Sequence, residues 1–199
     1  MLRVAASDLP SVTQEPLGPP LAELSPVWQV SSIESWDEVA TGYERLLRSQ
    51  RVLSPEMRAW VRAHVERATR DDGSRSRMLL LESMVSELVR DIRYVGLEFG
   101  VHGVVPYRTD QVWSRRFGDC KDQALLMAVL LEEAGFNAQV TLVRTAGQGR
   151  LSEPLPSLTF FDHAIVYLSD LAMYVDPTAR YYGLGTLPEA RLAQRRGLV

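Results

Sequence analysis

The chain has 199 residues, enough for one domain with a sizeable core. Its 46% hydrophobic and 24% charged residues and formal net charge of -3 are ordinary for a globular protein, and no basic cluster is interleaved with aromatics, which argues against a nucleic-acid partner. A single cysteine excludes an internal disulfide framework and a cysteine-rich zinc site, and no segment is long and apolar enough to span a bilayer.

Residues 1–32 carry Pro10, Pro16, Pro19, Pro20 and Pro26 without stable periodicity. They predict an extended arm, packed on the body through Leu21, Leu24, Val27 and Trp28, with a short strand at 27–30. The first ten residues lack the apolar run of a secretory signal. The body is expected over 33–199. Its first helix should start at Ser32 or Glu34 and run to Arg48, with Trp36, Val39, Ala40, Tyr43, Leu46 and Leu47 on its apolar side. Ser54-Pro55 signals a second helix to about Ala68, since proline at the first turn lacks only an N–H that would be unpaired anyway. His64 lies beside its apolar stripe and reads as a core-edge histidine rather than a catalytic one.

Asp71-Asp72-Gly73 breaks the pattern, and a third helix is expected over 74–92. An irregular extended segment at 94–99 and a loop at 104–107 follow. Thr109 is expected to cap a short helix through Val112, Trp113 and Arg116.

The stretch Gly118-Asp119-Cys120-Lys121-Asp122 then opens a helix that is apolar all round and should be buried on every side. Asp119 is a good N-cap, and Asp122 stands three residues later, at capping-box spacing. This puts Cys120 at the first helical position, where unpaired N–H groups and the helix dipole favour a thiolate. The competing reading is an inert buried cysteine. Gly135 ends the helix. A strand over 138–145 and an exposed loop over 146–158 follow, the loop being either a cleft rim or plain surface.

Residues 162–168 and 172–175 have strand composition, with Ser169-Asp170 as a tight turn between them. If Leu168 pairs with Leu171, His163 faces Asp176 directly; a loop longer by two residues keeps both on one face. Asp176 could then accept a proton from one imidazole nitrogen, leaving the other for the thiol of Cys120.

Three segments carry a family resemblance: Gly118-Asp119-Cys120-Lys121-Asp122, Phe161-Asp162-His163-Ala164 and Tyr174-Val175-Asp176-Pro177-Thr178. Together they resemble the bacterial transglutaminase-like superfamily, in particular the subgroup whose core follows a β-rich N-terminal domain. Ile92-Arg93-Tyr94-Val95-Gly96-Leu97-Glu98, Leu155-Pro156-Ser157 and Gly185-Thr186-Leu187-Pro188 look like further motifs, and the similarity covers roughly residues 28–190. The resemblance implies an α+β, papain-like fold in which a buried central helix packs on an antiparallel β-sheet. It implies Cys120 as nucleophile, His163 as general base then acid, and Asp176 as orienting residue. The arm, with Trp28 and Ser31-Ser32, would be the trailing edge of an upstream β-rich domain, and the chain a piece of a longer protein.

The implied reaction is acyl transfer on a peptide or carboxamide through a thioester, with hydrolysis favoured over transamidation because water is always present. A protein or peptide substrate and no cofactor follow. The sequence does not identify the second oxyanion donor; Tyr94, Tyr107 and Trp113 are candidates that read more readily as packing. The compartment, bacterial cytoplasm or periplasm, is left open. The rival readings are a noncatalytic scaffold with the same fold, a metal site on Cys120, His163 and an Asp, and a thiol redox function. The last two lack compact ligand spacing and a resolving cysteine.

Overall fold

A computed structural model describes residues 5–199 apart from 10, 14, 17, 71, 72, 75, 98, 152, 183 and 188–196. Asp71-Asp72 of the expected break, Pro10, Glu98 and Pro188 therefore lie outside the described residues. Among the described residues six α-helices appear in chain order: α1 (Leu21–Leu24), α2 (Trp36–Arg48), α3 (Pro55–Ala68), α4 (Arg77–Asp91), α5 (Thr109–Arg115) and α6 (Cys120–Glu133). The strands are β1 (Arg93–Tyr94), β2 (Phe117–Gly118), β3 (Ala138–Val143), β4 (His163–Leu168), β5 (Met173–Val175) and β6 (Gly197–Leu198). The main sheet is antiparallel with the order β5-β4-β3-β6, and β1 and β2 form a separate parallel pair. This is an α+β fold with helices on an antiparallel sheet.

Serine caps decide where three helices begin. Ser35 accepts the Glu38 N–H at 3.1 Å, Ser54 that of Met57 at 3.3 Å and Ser76 that of Leu79 at 3.4 Å. Each oxygen satisfies one of the backbone donors that a helix leaves unpaired at its start. The first and third helices therefore start slightly later than the apolar periodicity predicts. Thr109 does not cap α5: it is the first helical residue, Arg108 is the cap, and the threonine hydroxyl accepts from Val52 N at 2.8 Å and donates to Val52 O at 2.6 Å. That exchange ties α5 to the segment before α3.

Every residue from Cys120 to Leu131 of α6 is buried. The helix packs against β3 and β4 and also contacts α3, α4 and α5. Leu125, Leu126, Met127, Leu130 and Leu131 are almost wholly removed from solvent, each stabilising the fold by roughly 1.5–3 kcal/mol. This explains the missing polar face: α6 has neighbours all round. After Lys121, Asp122 and Gln123 in its first turn, polar residues return only at its last turn, with Glu132 and Glu133.

The arm differs from expectation. Residues 27–30 form no strand, and Leu21, Leu24, Val27 and Trp28 are exposed rather than packed. Polar bonds hold it instead. Glu23 accepts Arg150 N at 2.7 Å, Gln29 donates to Glu153 O at 3.1 Å and accepts from Leu155 N at 2.9 Å, and Ser31 donates to Pro156 O at 2.5 Å. Beyond the arm, the Trp36 ring meets Phe160 and Phe161 edge-on at 5.5 and 5.7 Å.

The β4–β5 hairpin has a longer turn than the tight turn predicted. Leu168 pairs with Met173, Tyr167 with Tyr174 and Val166 with Val175, so residues 169–172 form the turn. Ala172 takes a left-handed backbone, φ 48°, and Asp170 is engaged by an ion pair with Arg77 and by Asn137 N at 3.4 Å. Those contacts with α4 and the start of β3 select the longer turn, which shifts the register by two residues and preserves the faces.

Candidate active site

The entrance to α6 is polar yet almost solvent-free, and each charged group in it is partnered. The capping box is complete: Asp119 accepts from Asp122 N at 3.3 Å, and Asp122 accepts from Asp119 N at 3.3 Å. Asp122 also accepts Tyr107 N at 2.8 Å and binds the Arg115 guanidinium at 2.9 Å. Arg115 lies over the Tyr107 ring at 4.2 Å and the Phe117 ring at 4.9 Å. Lys121, itself buried, pairs with Asp119 at 2.5 Å, and Gln123 donates to Gly118 O at 2.9 Å. A Cβ on Gly118 would stand 2.6 Å from the Asp122 Cβ, so only glycine lets the carboxylate close on the turn. Cys120 occupies the first helical position of this assembly, as the spacing predicts.

The second group of residues comes from the hairpin. His163 opens β4 opposite Val143 of β3. Its Nε2 lies 2.9 Å from Asp176 Oδ2, even though the observed register makes the two positions diagonal rather than directly opposite. The other Asp176 oxygen accepts Thr178 N at 2.9 Å and the Thr178 hydroxyl at 2.7 Å. Burial disfavours the Asp176 carboxylate, but His163 and Thr178 outweigh it and hold the group below the usual range. Burial likewise opposes charge on His163. Asp176 first, and then the neighbouring Cys120, outweigh it, and the imidazole is pushed up to about 9 from its ordinary 6.5. Nε2 faces Asp176, which leaves the other ring nitrogen for Cys120. An imidazole oriented by a carboxylate in this way can accept and return a proton.

Cys120 is buried at 9% exposure but forms part of the wall of a cavity of about 280 Å³. Tyr43, Gly103, Val104, Leu142, Leu158 and Phe161 complete much of that wall, together with His163. Tyr43 was read from the sequence only as part of an apolar helix face. Burial, followed by the charges of Cys120, Asp119 and Asp122, raises its phenol well above the ordinary tyrosine range, so it stays a neutral O–H. A phenol in a helical apolar stripe gives no sequence signal beyond packing. A larger cavity of about 490 Å³ lies between α2, β3 and β6 and shares Tyr43 and Leu142, but it holds neither Cys120 nor His163.

Other sequence candidates fall elsewhere. Tyr94 is exposed, Tyr107 stacks on His102 at 3.6 Å, and Trp113 packs on Trp60 at 5.5 Å; none lines the cavity beside Cys120. His64 is fully buried, its Nδ1 3.0 Å from the Ser83 hydroxyl and its ring 4.1 Å from that of Trp60. Of the described residues of the loop over 146–158, only Leu158 lines the cavity, and the adjoining Thr159 and Phe161 line it too. Among the described residues no group of three or more His, Cys, Asp or Glu is arranged to hold a metal ion.

No protein-family profile matches this chain, and no curated protein matches it. Its fold is similar to a solved structure from Parabacteroides distasonis described as that of a candidate protease. The TM-score is 0.58 at 16% identity, over 72% of this chain and 27% of that one. A second structure, from Cytophaga hutchinsonii and described as that of a candidate cysteine protease, has a TM-score of 0.41 at 13% identity over 69% of this chain and 42% of that one, too slight a likeness to argue from. The chain thus spans about a quarter of the length of the first protein. At this identity the likeness concerns fold alone.

Proposed function

We propose that this chain carries a cysteine-dependent acyl-transfer centre on a papain-like, transglutaminase-like core, with hydrolysis of peptide or carboxamide bonds as its main reaction. What supports the reading is an imidazole hydrogen-bonded to the Asp176 carboxylate that lines the same cavity as Cys120. Cys120 sulfur attacks the carbonyl carbon as its proton passes to His163; the C–S bond forms and the carbonyl electron pair moves to oxygen. The tetrahedral intermediate collapses, the C–N bond breaks, and His163 delivers the proton to the departing amine. Water then attacks the thioester with His163 as base, releasing the acid and regenerating the thiol. Asp176 keeps the ring oriented throughout and offsets its charge. The Cys120 N–H is one donor to the oxyanion, and the neutral Tyr43 phenol in the same wall is the second.

In this reading residues 1–32 are an arm and 33–199 the enzymatic body. A protein or peptide is the substrate, and an upstream β-rich domain precedes the arm in a longer protein. The low exposure of Cys120 favours one alternative, a noncatalytic scaffold of the same fold. Alkylation separates the two. For the enzyme, iodoacetamide modifies Cys120 rapidly at neutral pH, and His163→Ala slows modification about 10²-fold or more, in line with the usual worth of a positioned general base. Equal, slow modification of both proteins, with circular dichroism showing both folded, would favour the scaffold.

A further inference from the structure

Resting on the proposed acyl-transfer reading, we infer that the cavity beside Cys120 selects substrates with one uncharged, apolar side chain on the acyl side of the attacked carbonyl. At about 280 Å³ the space is at the small end for ligand sites, suited to one side chain and its backbone rather than an extended ligand. Its walls are chiefly apolar. Val104, Leu158 and Phe161 line it together with Leu142 of β3 and Ala164 of β4, beside Cys120 and His163.

The charges in that wall are already engaged. Lys121 is neutralised by Asp119 at 2.5 Å. Asp162 uses one oxygen for Thr145 N at 2.6 Å and the other for the Thr145 hydroxyl at 2.5 Å. His163 is committed to Asp176 and Cys120. An anionic substrate side chain entering here would lose hydration without gaining an uncommitted cation, and a cationic one would meet only an Asp162 carboxylate whose two oxygens are already held by Thr145, whereas an aliphatic or aromatic one would exchange water for Val104, Leu158 and Phe161. Val104 of that lining is 42% exposed.

Two measurements test this. In the first, N-acetyl dipeptide amides with a fluorogenic leaving group are offered to the whole chain, each acyl-side residue in turn being Leu, Phe, Lys or Glu. Leu or Phe at one of the two positions should exceed Lys and Glu at least tenfold in kcat/KM. In the second, the same peptides as plain amides titrate Cys120→Ala, which lacks the nucleophile, and the Val104, Leu142 and Leu158 methyl resonances are followed by NMR. Leu and Phe peptides should shift those methyls at tenfold lower concentration than Lys or Glu peptides. Equal or stronger binding of a charged peptide, or no binding of any peptide, would overturn the inference. Selective methyl shifts with no turnover of any peptide would uphold the pocket's preference while removing the enzyme reading. Val104→Asp, on an exposed loop, should move the preference toward Lys.

Discussion

At the entrance to α6 the polar groups are fixed by partners close in sequence: Asp119 with Asp122, Lys121 with Asp119, Gln123 with Gly118, and Arg115 with Asp122 seven residues on. The hairpin is held differently. His163 reaches Asp176 across thirteen residues, in a register set by a turn whose Asp170 is engaged by Arg77 of α4. Local bonds make the sulfur's position nearly independent of the sheet. The imidazole's position depends on how the sheet packs. The entrance to α6 should therefore fail through stability, and the hairpin through geometry.

The largest expected effect breaks the helix entrance. Asp122→Ala strips the partner from Arg115 and leaves Tyr107 N and Asp119 N without their acceptor, and should cost about 3–5 kcal/mol. Urea unfolding would measure it, and a loss under 1 kcal/mol would mean that the entrance is not held by this network.

A smaller effect concerns the hairpin and is read through pH. His163 has a raised value in the fold, about 9 against 6.5, so its stabilisation is complete below about pH 6.5 and lost as pH rises through 9. Asp176 is lowered, so its contribution is present above the ordinary carboxylate range and lost as pH falls through its depressed value. Thermal midpoints should therefore form a plateau across mildly acidic pH and decline toward pH 9, and His163→Gln should flatten the alkaline decline. An unchanged slope in the variant would show that the imidazole does not titrate as the pairing requires.

The smallest effect sharpens the contrast. Asp170→Ala removes a half-exposed ion pair and one long backbone bond, at about 0.5–1 kcal/mol. Because it loosens the turn that selects the register, it should slow Cys120 alkylation more than its stability cost suggests. Asp122→Ala, measured while still folded, should do the reverse.

Amino-acid order alone determined the helix entrance. The cap at Asp119, the Asp three residues on and the following apolar run act within one turn, so their geometry can be read from spacing, and Pro55 and Gly135 mark helix ends for the same local reason. The shared face of His163 and Asp176 was also legible, because strand alternation survives a two-residue shift. Only tertiary packing decided the rest. Whether Ser169-Asp170 turns tightly depends on Arg77, 93 residues away from Asp170 in sequence; whether Leu21 and Trp28 pack depends on what surface is offered to them; and whether Tyr43 is buried in the cavity lining depends on where α2 comes to lie. Local hydrogen bonds constrain neighbours along the chain, whereas apolar burial is non-directional and selects among partners only once the chain has closed on itself.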